Sequence, residues 1–283
     1  MTDSANHGEG DDKAGGAHAA RVAVLRLLVI PFAVYVAWLL ETLLLEKNLH
    51  LFSRIEPGTL ILYTSVACIL TGIVVPFMIL RKSFLTGDVN MFQIGFRSLP
   101  RTLTACIVTV LVGYGAVIVS NPLGADRSAF ANAFLVLLPT SLASVMICWV
   151  LVGTHIQAFV RGGGSLVSIP AGVVVTAILF GLTTLVHSGP GPSGIALSWS
   201  VGAGIIAALF FFAVRDVYAI TIAVAGMSVF LMADRLDPVA LAHPEPAVYL
   251  SSVLAIAVLA GIHLYLFRNY TTIKLPVLPG NPD

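Results

Sequence analysis

Ionisable side chains inside otherwise apolar stretches are the residues of this sequence that could do chemistry. Charge in lipid is costly and therefore tends to mark a site. The candidates are Glu41, His155, His187 and His263. An acid and an imidazole that face one cavity could act as general base and general acid on a peptide bond. A hydrolase that uses Glu41, His187 or Asp234 in a common cavity is therefore one interpretation, and interfacial side chains in contact with water are the other.

The elements that must position these residues are eight apolar stretches, each a candidate helix across a bilayer. With 58% hydrophobic and 10% charged residues and a mean hydropathy of +0.96, the chain has too little polar side chain to cover a water-soluble globule. Most stretches approach the roughly 20 residues that a helix needs to cross a ~30 Å hydrocarbon core. We therefore predict an all-α, polytopic membrane protein, a bundle of about eight transmembrane helices. The predicted spans are 23–45, 59–80, 102–119, 130–160, 171–186, 194–214, 217–232 and 248–267.

Charges in the connections predict the orientation and the tails. Eleven Lys and Arg residues fall on the side of both termini and four on the other, so the positive-inside rule places both termini in the cytoplasm. Residues 1–20 are predicted to form a disordered tail, residues 21–268 the membrane domain and residues 269–283 a second cytoplasmic tail. The net charge of +1 gives no reason to expect a nucleic acid partner.

Spacing argues against a metal centre. Metal ligands must converge within about 2 Å of one ion and therefore share one depth in the membrane. His155 and His263 belong to the half near the termini and His187 to the opposite half. At about 1.5 Å of rise per residue, these groups are roughly 20 Å apart. The three cysteines fall in three separate spans with no C-x-x-C pair, and no metal or other cofactor is predicted.

Small residues predict where helices approach one another closely, because they allow backbones to come together in a membrane. Such glycines occur on the third, fifth and sixth spans. They are Gly113, Gly115, Gly172, Gly181, Gly202 and Gly204.

Three further segments, in their order along the chain, carry a family resemblance. They are Ile94-Gly95-Phe96-Arg97, the run 177–182 with Phe180, and the run 204–209 followed by Arg215-Asp216. This order, centred on residues 130–234, resembles the CPBP family of intramembrane proteases, which includes type II CAAX prenyl endopeptidases and bacteriocin self-immunity proteins. The resemblance implies about eight spans that carry a Glu-Glu-x-x-x-Arg-Gly motif, a Phe-x-x-x-His motif and a late His-x-x-x-Asn motif.

When the sequence is aligned with these family motifs, the first motif lacks the charged residues of the family. Ile147 and Cys148 stand where the family has its two glutamates, and Val152 stands where it has arginine. Gly153 alone is retained.

The later two motifs are degenerate in the same way. Phe180 is retained, but Thr184 stands where the family has histidine. Val224 and Ser228 stand near the late histidine and asparagine. Cys148 and Thr184 would both lie about 21 Å from the same connecting turn, and therefore at one depth.

The family mechanism, as the resemblance implies it, needs a carboxylate to activate water and histidines to hold the reacting carbonyl. The residues at the motif positions supply neither, so we predict a pseudoenzyme with no catalytic residues. It would bind a membrane protein, a lipid, or a hydrophobic or prenylated peptide. Two alternatives stay open: a peptidase that uses Glu41, His187 and Asp234, and a small-solute transporter or channel.

Overall fold

The protein is described here by a computed structural model that covers residues 22–49, 56–120, 127–187, 194–232, 241 and 244–270. These residues form helices and connections without a strand, which confirms the predicted all-α bundle. The long helices are α1 (Leu25–Val29 and Ile30–Leu49), α2 (Pro57–Leu85), α3 (Leu99–Ser120), α4 (Arg127–Ser144, Val145–Gly153 and Thr154–Phe159), α5 (Ser165–His187), α6 (Gly194–Val214), α7 (Val217–Met232) and α8 (Pro246–Tyr270).

Each predicted span corresponds to one of these helices. Seven of the described helices are long and apolar enough to cross a membrane, and α7 is an apolar helix of 16 residues. The protein is therefore a multi-pass membrane protein. The helix α8 continues to Tyr270, two residues beyond the predicted end of the membrane domain. The predicted tails otherwise lie outside the described residues.

The helix α4 forms the centre of the bundle. Of its most apolar 18-residue stretch, 94% is buried inside the protein, against 22% for α1 and 44% for α5. It packs against α1, α2, α5, α7 and α8. A helix that is apolar on all sides belongs in the interior, and α4 has such a middle section from Val145 to Gly153, in which every residue is buried. The surrounding helices expose the aliphatic side chains that would face lipid.

Three stretches within these helices have π-helical hydrogen bonding, which is uncommon inside helices and frequent at functional sites. They are Leu25–Val29 in α1, Thr64–Val74 in α2 and Val145–Gly153 in α4. The third stretch contains all the residues that the predicted resemblance places at the first family motif. The middle of α4 is thus the most deeply buried part of the bundle and has an irregular backbone.

Several connections meet at one end of the bundle, which we call the basic end. The Arg26 guanidinium lies 2.7 Å from the Asp88 carboxylate, and Arg161 donates a 2.7 Å hydrogen bond to the Asp88 carbonyl. The Val217 N–H donates to the Gly95 carbonyl at 3.0 Å. These contacts join the start of α1, the α2–α3 connection, the α4–α5 turn and the α6–α7 turn. Their placement on the cytoplasmic side stays a prediction.

The α2–α3 connection is anchored in the bundle by a short helix, Met91–Ile94. Asn90 and Gln93 cap it reciprocally, each side chain accepting from the other residue's backbone N–H at 3.0 Å. Ile94 and Phe96 are buried in the core. This connection therefore belongs to the packed structure of the basic end.

The predicted close approaches are confirmed for half of the glycines. A Cβ on Gly204 would lie 2.9 Å from the Ala177 carbonyl oxygen, and a Cβ on Gly181 would lie 2.5 Å from the Val201 side chain. Gly172 packs in the same way on Phe212. The prediction was wrong for Gly113, Gly115 and Gly202, whose Cβ positions have no neighbouring atom within 4 Å because they face away from the other described helices.

Candidate functional site

A small cavity lies between α4, α5 and α7. Its volume is about 20 Å³, enough for one group of the size of a water molecule. Its apolar walls are Leu137, Phe180, Leu231 and Met232. Its six hydroxyl side chains are Thr140, Ser141, Ser144, Thr183, Thr184 and Ser228. No acid, imidazole or amine is among these ten lining residues.

The cavity brings together three of the eight residues that the predicted resemblance places at the family's motif positions. Phe180 and Thr184 come from α5, and Ser228 comes from α7. The other five lie in the packing around the cavity rather than in its lining. Of these, Ile147, Cys148, Val152 and Val224 are 0% exposed, and Gly153 packs against the side chains of Thr176 and Phe212.

The Cys148 thiol lies on the part of α4 that faces α5. Its polar neighbours are the Thr183 hydroxyl, on the cavity wall, and the Tyr35 hydroxyl of α1. One residue further on, the Trp149 ring packs on Phe180 with the ring centroids 5.2 Å apart. The structure thus places the middle of α4 beside the Phe180 turn of α5.

Two hydroxyl groups on the α5 wall form hydrogen bonds to the backbone of their own helix. Thr183 donates to the Leu179 carbonyl at 3.0 Å, and Thr184 donates to the Phe180 carbonyl at 2.9 Å. The Tyr35 hydroxyl also donates to the Leu179 carbonyl, at 2.8 Å. A threonine hydroxyl has one proton and two lone pairs. The Tyr35 and Thr183 hydroxyl oxygens also lie 3.4 Å apart, so this wall is tied to α1 as well as to its own backbone.

A buried polar chain connects the α4 wall to a carboxylate on α1. The Tyr63 hydroxyl donates to Glu46 Oε1 at 2.8 Å, and Thr140 Oγ1 donates to the Tyr63 hydroxyl oxygen at 3.2 Å. Cys68 Sγ lies 3.7 Å from Thr140 Oγ1. Glu46 is 9% exposed and Tyr63 is 1% exposed, so the chain runs through the interior.

The alternative polar site is only partly covered by the structure. Glu41 is half-buried on α1, on the same helix as Glu46. His187 ends α5, but its side chain and the whole of Asp234 lie outside the described residues. A catalytic role for this set stays a prediction.

Two of the candidate histidines form hydrogen bonds with other groups of the protein. Nε2 of His155 lies 2.8 Å from the Ser83 hydroxyl, and its Nδ1 lies 2.7 Å from a backbone carbonyl one turn earlier. His263 contacts the Tyr218 hydroxyl at 3.1 Å and the Arg97 carbonyl at 3.0 Å. Both nitrogens of each ring are thus engaged within the protein. In the described part of the chain, no three His, Cys, Asp or Glu side chains form a group that could hold a metal ion.

Arg215 is a half-buried cation at the basic end. It occupies the α6–α7 turn with φ of 53°, a left-handed backbone conformation that is uncommon for a non-glycine residue. Its guanidinium donates to the Gln93 carbonyl at 2.8 Å and to Gln157 Oε1 at 2.7 Å, and it lies 4.8 Å from the Phe212 ring centroid. Burial, with the charge of nearby Arg97, lowers the pKa of Arg215 to about 10.

Asp216 directly precedes α7 and is next to this cation in the chain. Its carboxylate accepts from the Thr102 hydroxyl at 2.6 Å and from the backbone N–H groups of Tyr218 and Ala219 at 3.0 Å. The second pair of contacts is an N-cap. Arg215 and Asp216 therefore join the α6–α7 turn to its neighbours at the basic end. Their charged groups are used in these structural hydrogen bonds.

The hydroxyl residues of α4 and the partner of Glu46 were not predicted from the sequence. Thr140 and Ser144 are four residues apart, so they share one face of α4 a turn before Cys148. Two hydroxyl residues at this spacing within an apolar helix are the sequence signal that could have predicted a polar face on α4. Tyr63 gave no such signal, because its contact with Glu46 joins two helices.

Comparison of the chain with protein-family models, with curated proteins and with solved structures found no significant match. The resemblance to the CPBP family therefore stays a prediction that rests on the motif positions.

Proposed function

We propose that this multi-pass membrane protein is a CPBP-like scaffold that has lost its hydrolytic residues and binds a lipid or a hydrophobic or prenylated peptide. One observation carries the proposal. Phe180, Thr184 and Ser228 line one cavity, and that cavity contains hydroxyl and aliphatic groups where a hydrolase would need acid and imidazole.

The chemistry of the lining supports binding over cleavage. Hydrolysis of an amide needs a general base to activate water and donors that stabilise the developing oxyanion. A serine or threonine nucleophile needs an adjacent base, and no lining residue is a carboxylate or imidazole. Thr183 and Thr184 direct their protons to backbone carbonyls. The α5 wall therefore lacks oxyanion donors from these two groups.

The size and lining of the cavity suit the end of a ligand. Ligand sites are mostly apolar with a few placed polar groups, which describes a lining of Leu137, Leu231 and Met232 beside hydroxyls. A volume of about 20 Å³ admits only a small terminal group. The rest of the ligand would lie outside the cavity, and Met232 is the flexible side chain that could make room.

Photolabelling in nanodiscs tests this function. The probe is a farnesylated peptide that carries a benzophenone. Ser228→Leu fills the cavity, so we expect labelling to fall about tenfold, which corresponds to ~1.4 kcal/mol. Thr104→Leu, on an exposed face of α3, is the matched control and should label as the parent does. Equal labelling of both variants and the parent would contradict the proposal.

The two alternative functions have their own readouts. Cleavage of the peptide that is lost in Glu41→Gln and His187→Ala would favour the unconventional peptidase. Solute flux in proteoliposomes that is absent from empty vesicles would favour a transporter or channel.

A further inference from the structure

Positive charge exceeds negative charge at the basic end. The described residues near the helix ends that meet there include eight lysine and arginine side chains and two carboxylates: Arg26, Arg81, Lys82, Arg97, Arg101, Arg161, Arg215 and Arg268, and Asp88 and Asp216. Both carboxylates are already engaged. Asp88 pairs with Arg26, and Asp216 accepts from Thr102 and from two backbone N–H groups of α7. Most of the cations described at this end therefore lack a carboxylate partner.

Arg97 and Arg101 lie close to each other where α3 begins. The charges that act on Arg97 are those of the Arg101 guanidinium and the Asp216 carboxylate. Within the part of the chain that the structure describes, neither arginine forms an ion pair, and the exposed Arg101 side chain makes no hydrogen bond. Like charges repel each other, so an anion bound from outside the protein would relieve this repulsion.

Two contacts hold the Arg97 guanidinium in place. Its Nε donates to the Arg215 carbonyl at 2.9 Å, and its Cζ lies 4.7 Å from the centroid of the Phe92 ring. Its two terminal nitrogens have no acceptor among the described residues, and neither is among the buried unpartnered atoms, so both are accessible. Paired guanidinium N–H groups match phosphate oxygens, and a side chain that is already held loses less freedom when it binds.

Arg215 adds positive charge beside this pair. Its guanidinium is near enough to Arg97 for that charge to lower the Arg215 pKa. It donates to the Gln93 carbonyl and to the Gln157 side chain, so its hydrogen bonds stay within the protein. Arg215 therefore strengthens the attraction for an anion, while Arg97 and Arg101 have N–H groups available to contact one.

Apolar side chains surround the two arginines on the surface. Phe92 is 67% exposed, Leu99 is 66% exposed and Leu103 is 52% exposed. Leu99 and Leu103 are four residues apart and share one face of α3. This helix starts at Leu99 and belongs to a candidate span, so the arginines lie where a spanning helix meets the headgroups.

We propose that Arg97 and Arg101 bind the phosphate of an anionic phospholipid at the basic end, with its acyl chains along Leu99 and Leu103. Charge complementarity identifies this occupant. A head with a net negative charge matches three neighbouring arginines, whereas a zwitterionic head brings a cation of its own into the same positive field. None of these residues lines the cavity, so the inference goes beyond the proposed function and does not depend on it.

Native mass spectrometry of the full chain in detergent tests the inference. The probes are phosphatidylglycerol and phosphatidylcholine with identical acyl chains, added at equal concentrations. The measured quantity is the ratio of protein bound to phosphatidylglycerol to protein bound to phosphatidylcholine. We expect a ratio of about ten for the parent. A ratio of one would overturn the inference.

Charge-removing variants locate the site. Arg97→Gln and Arg101→Gln should each lower the ratio about fivefold, the effect of one cation near an anionic lipid. Arg101→Gln removes no hydrogen bond within the described structure, so it decides the matter if Arg97→Gln does not fold. Lys82→Gln removes one exposed charge from the same end and should change the ratio by less than about twofold.

Phe92→Leu separates a built site from a diffuse positive field. It removes the ring beside Arg97 without changing the net charge, so binding of phosphatidylglycerol should weaken by about threefold. An unchanged ratio in Arg101→Gln, an equal fall in Lys82→Gln, or unchanged binding in Phe92→Leu would each overturn the inference. The farnesylated-peptide experiment reports on the cavity separately.

Discussion

The Tyr63 hydroxyl donates a 2.8 Å hydrogen bond to the Glu46 carboxylate, and this bond links α1 and α2 to the wall of the cavity through Thr140. A carboxylate that is 9% exposed in a membrane bundle needs such a partner, because burying a charge is costly unless it is hydrogen-bonded. The chain of hydrogen bonds that stabilises the buried Glu46 carboxylate therefore also includes Thr140 of the cavity wall.

This bond should have a measurable effect on stability. Tyr63→Phe deprives Glu46 of a donor, so the free energy of unfolding should fall by about 1.5–3 kcal/mol, the range for a hydrogen bond to a charged group. Denaturation of the purified protein by SDS measures it. Tyr249→Phe removes a hydroxyl that only approaches Asn132, at 3.4 Å, and should cost less than about 0.5 kcal/mol. Equal effects would contradict the assignment.

The α5–α6 contact should depend on Gly204. Gly204→Leu places a side chain against the Ala177 backbone, so the two helices must separate at a cost of about 3 kcal/mol or more. Gly202→Leu, two residues earlier on α6, has open space around its Cβ and should fold normally. Size-exclusion profiles and SDS denaturation of the two variants make the comparison. Two equally stable variants would contradict the packing.

The thiol of Cys148 should be unnecessary for function. Cys148→Ala removes one buried sulfur atom, with a stability cost of about 1 kcal/mol, and leaves the cavity lining intact. Labelling by the farnesylated peptide should stay within about twofold of the parent. If this substitution abolished labelling or any measured activity, the pseudoenzyme interpretation would be wrong.

The stability of the basic end should depend on the guanidinium group of Arg215. Arg215→Lys keeps the charge but cannot reach both Gln93 and Gln157 with a planar fork, so stability should fall by about 1–2 kcal/mol. Arg161→Lys alters an exposed cation that donates one bond to the Asp88 carbonyl and should cost less than about 0.5 kcal/mol. The same denaturation assay measures both, and a larger loss in Arg161→Lys would argue against a structural role for Arg215.

The helices could be predicted from the sequence, because each span is a long apolar run and the bilayer imposes one length on all of them. The central position of α4 follows from its apolar residues on every side, for instance Ile147 and Trp149, although hydropathy alone gives no order of packing. The α8 boundary was missed by two residues because Asn269 and Tyr270 are polar enough to end an apolar run but still complete the last turn of the helix.

The site could be predicted only in part. Three residues at the predicted motif positions, Phe180, Thr184 and Ser228, line the cavity, and their role there stays a prediction. The hydroxyl side chains of α4 were not predicted, because serine and threonine satisfy their own helix backbone and give a weak signal within a span. The Glu46–Tyr63 contact was not predictable either. It depends on the rotation of two helices about their axes, and hydropathy does not determine that rotation.

The most direct test of binding without cleavage is the intact mass of the farnesylated peptide after prolonged incubation with the protein in nanodiscs, followed by photolabelling. We predict a full-length peptide cross-linked to the segments that contain Phe180 or Ser228. Peptide fragments that disappear when Glu41 or His187 is substituted, or a cross-link that avoids both segments, would contradict the account.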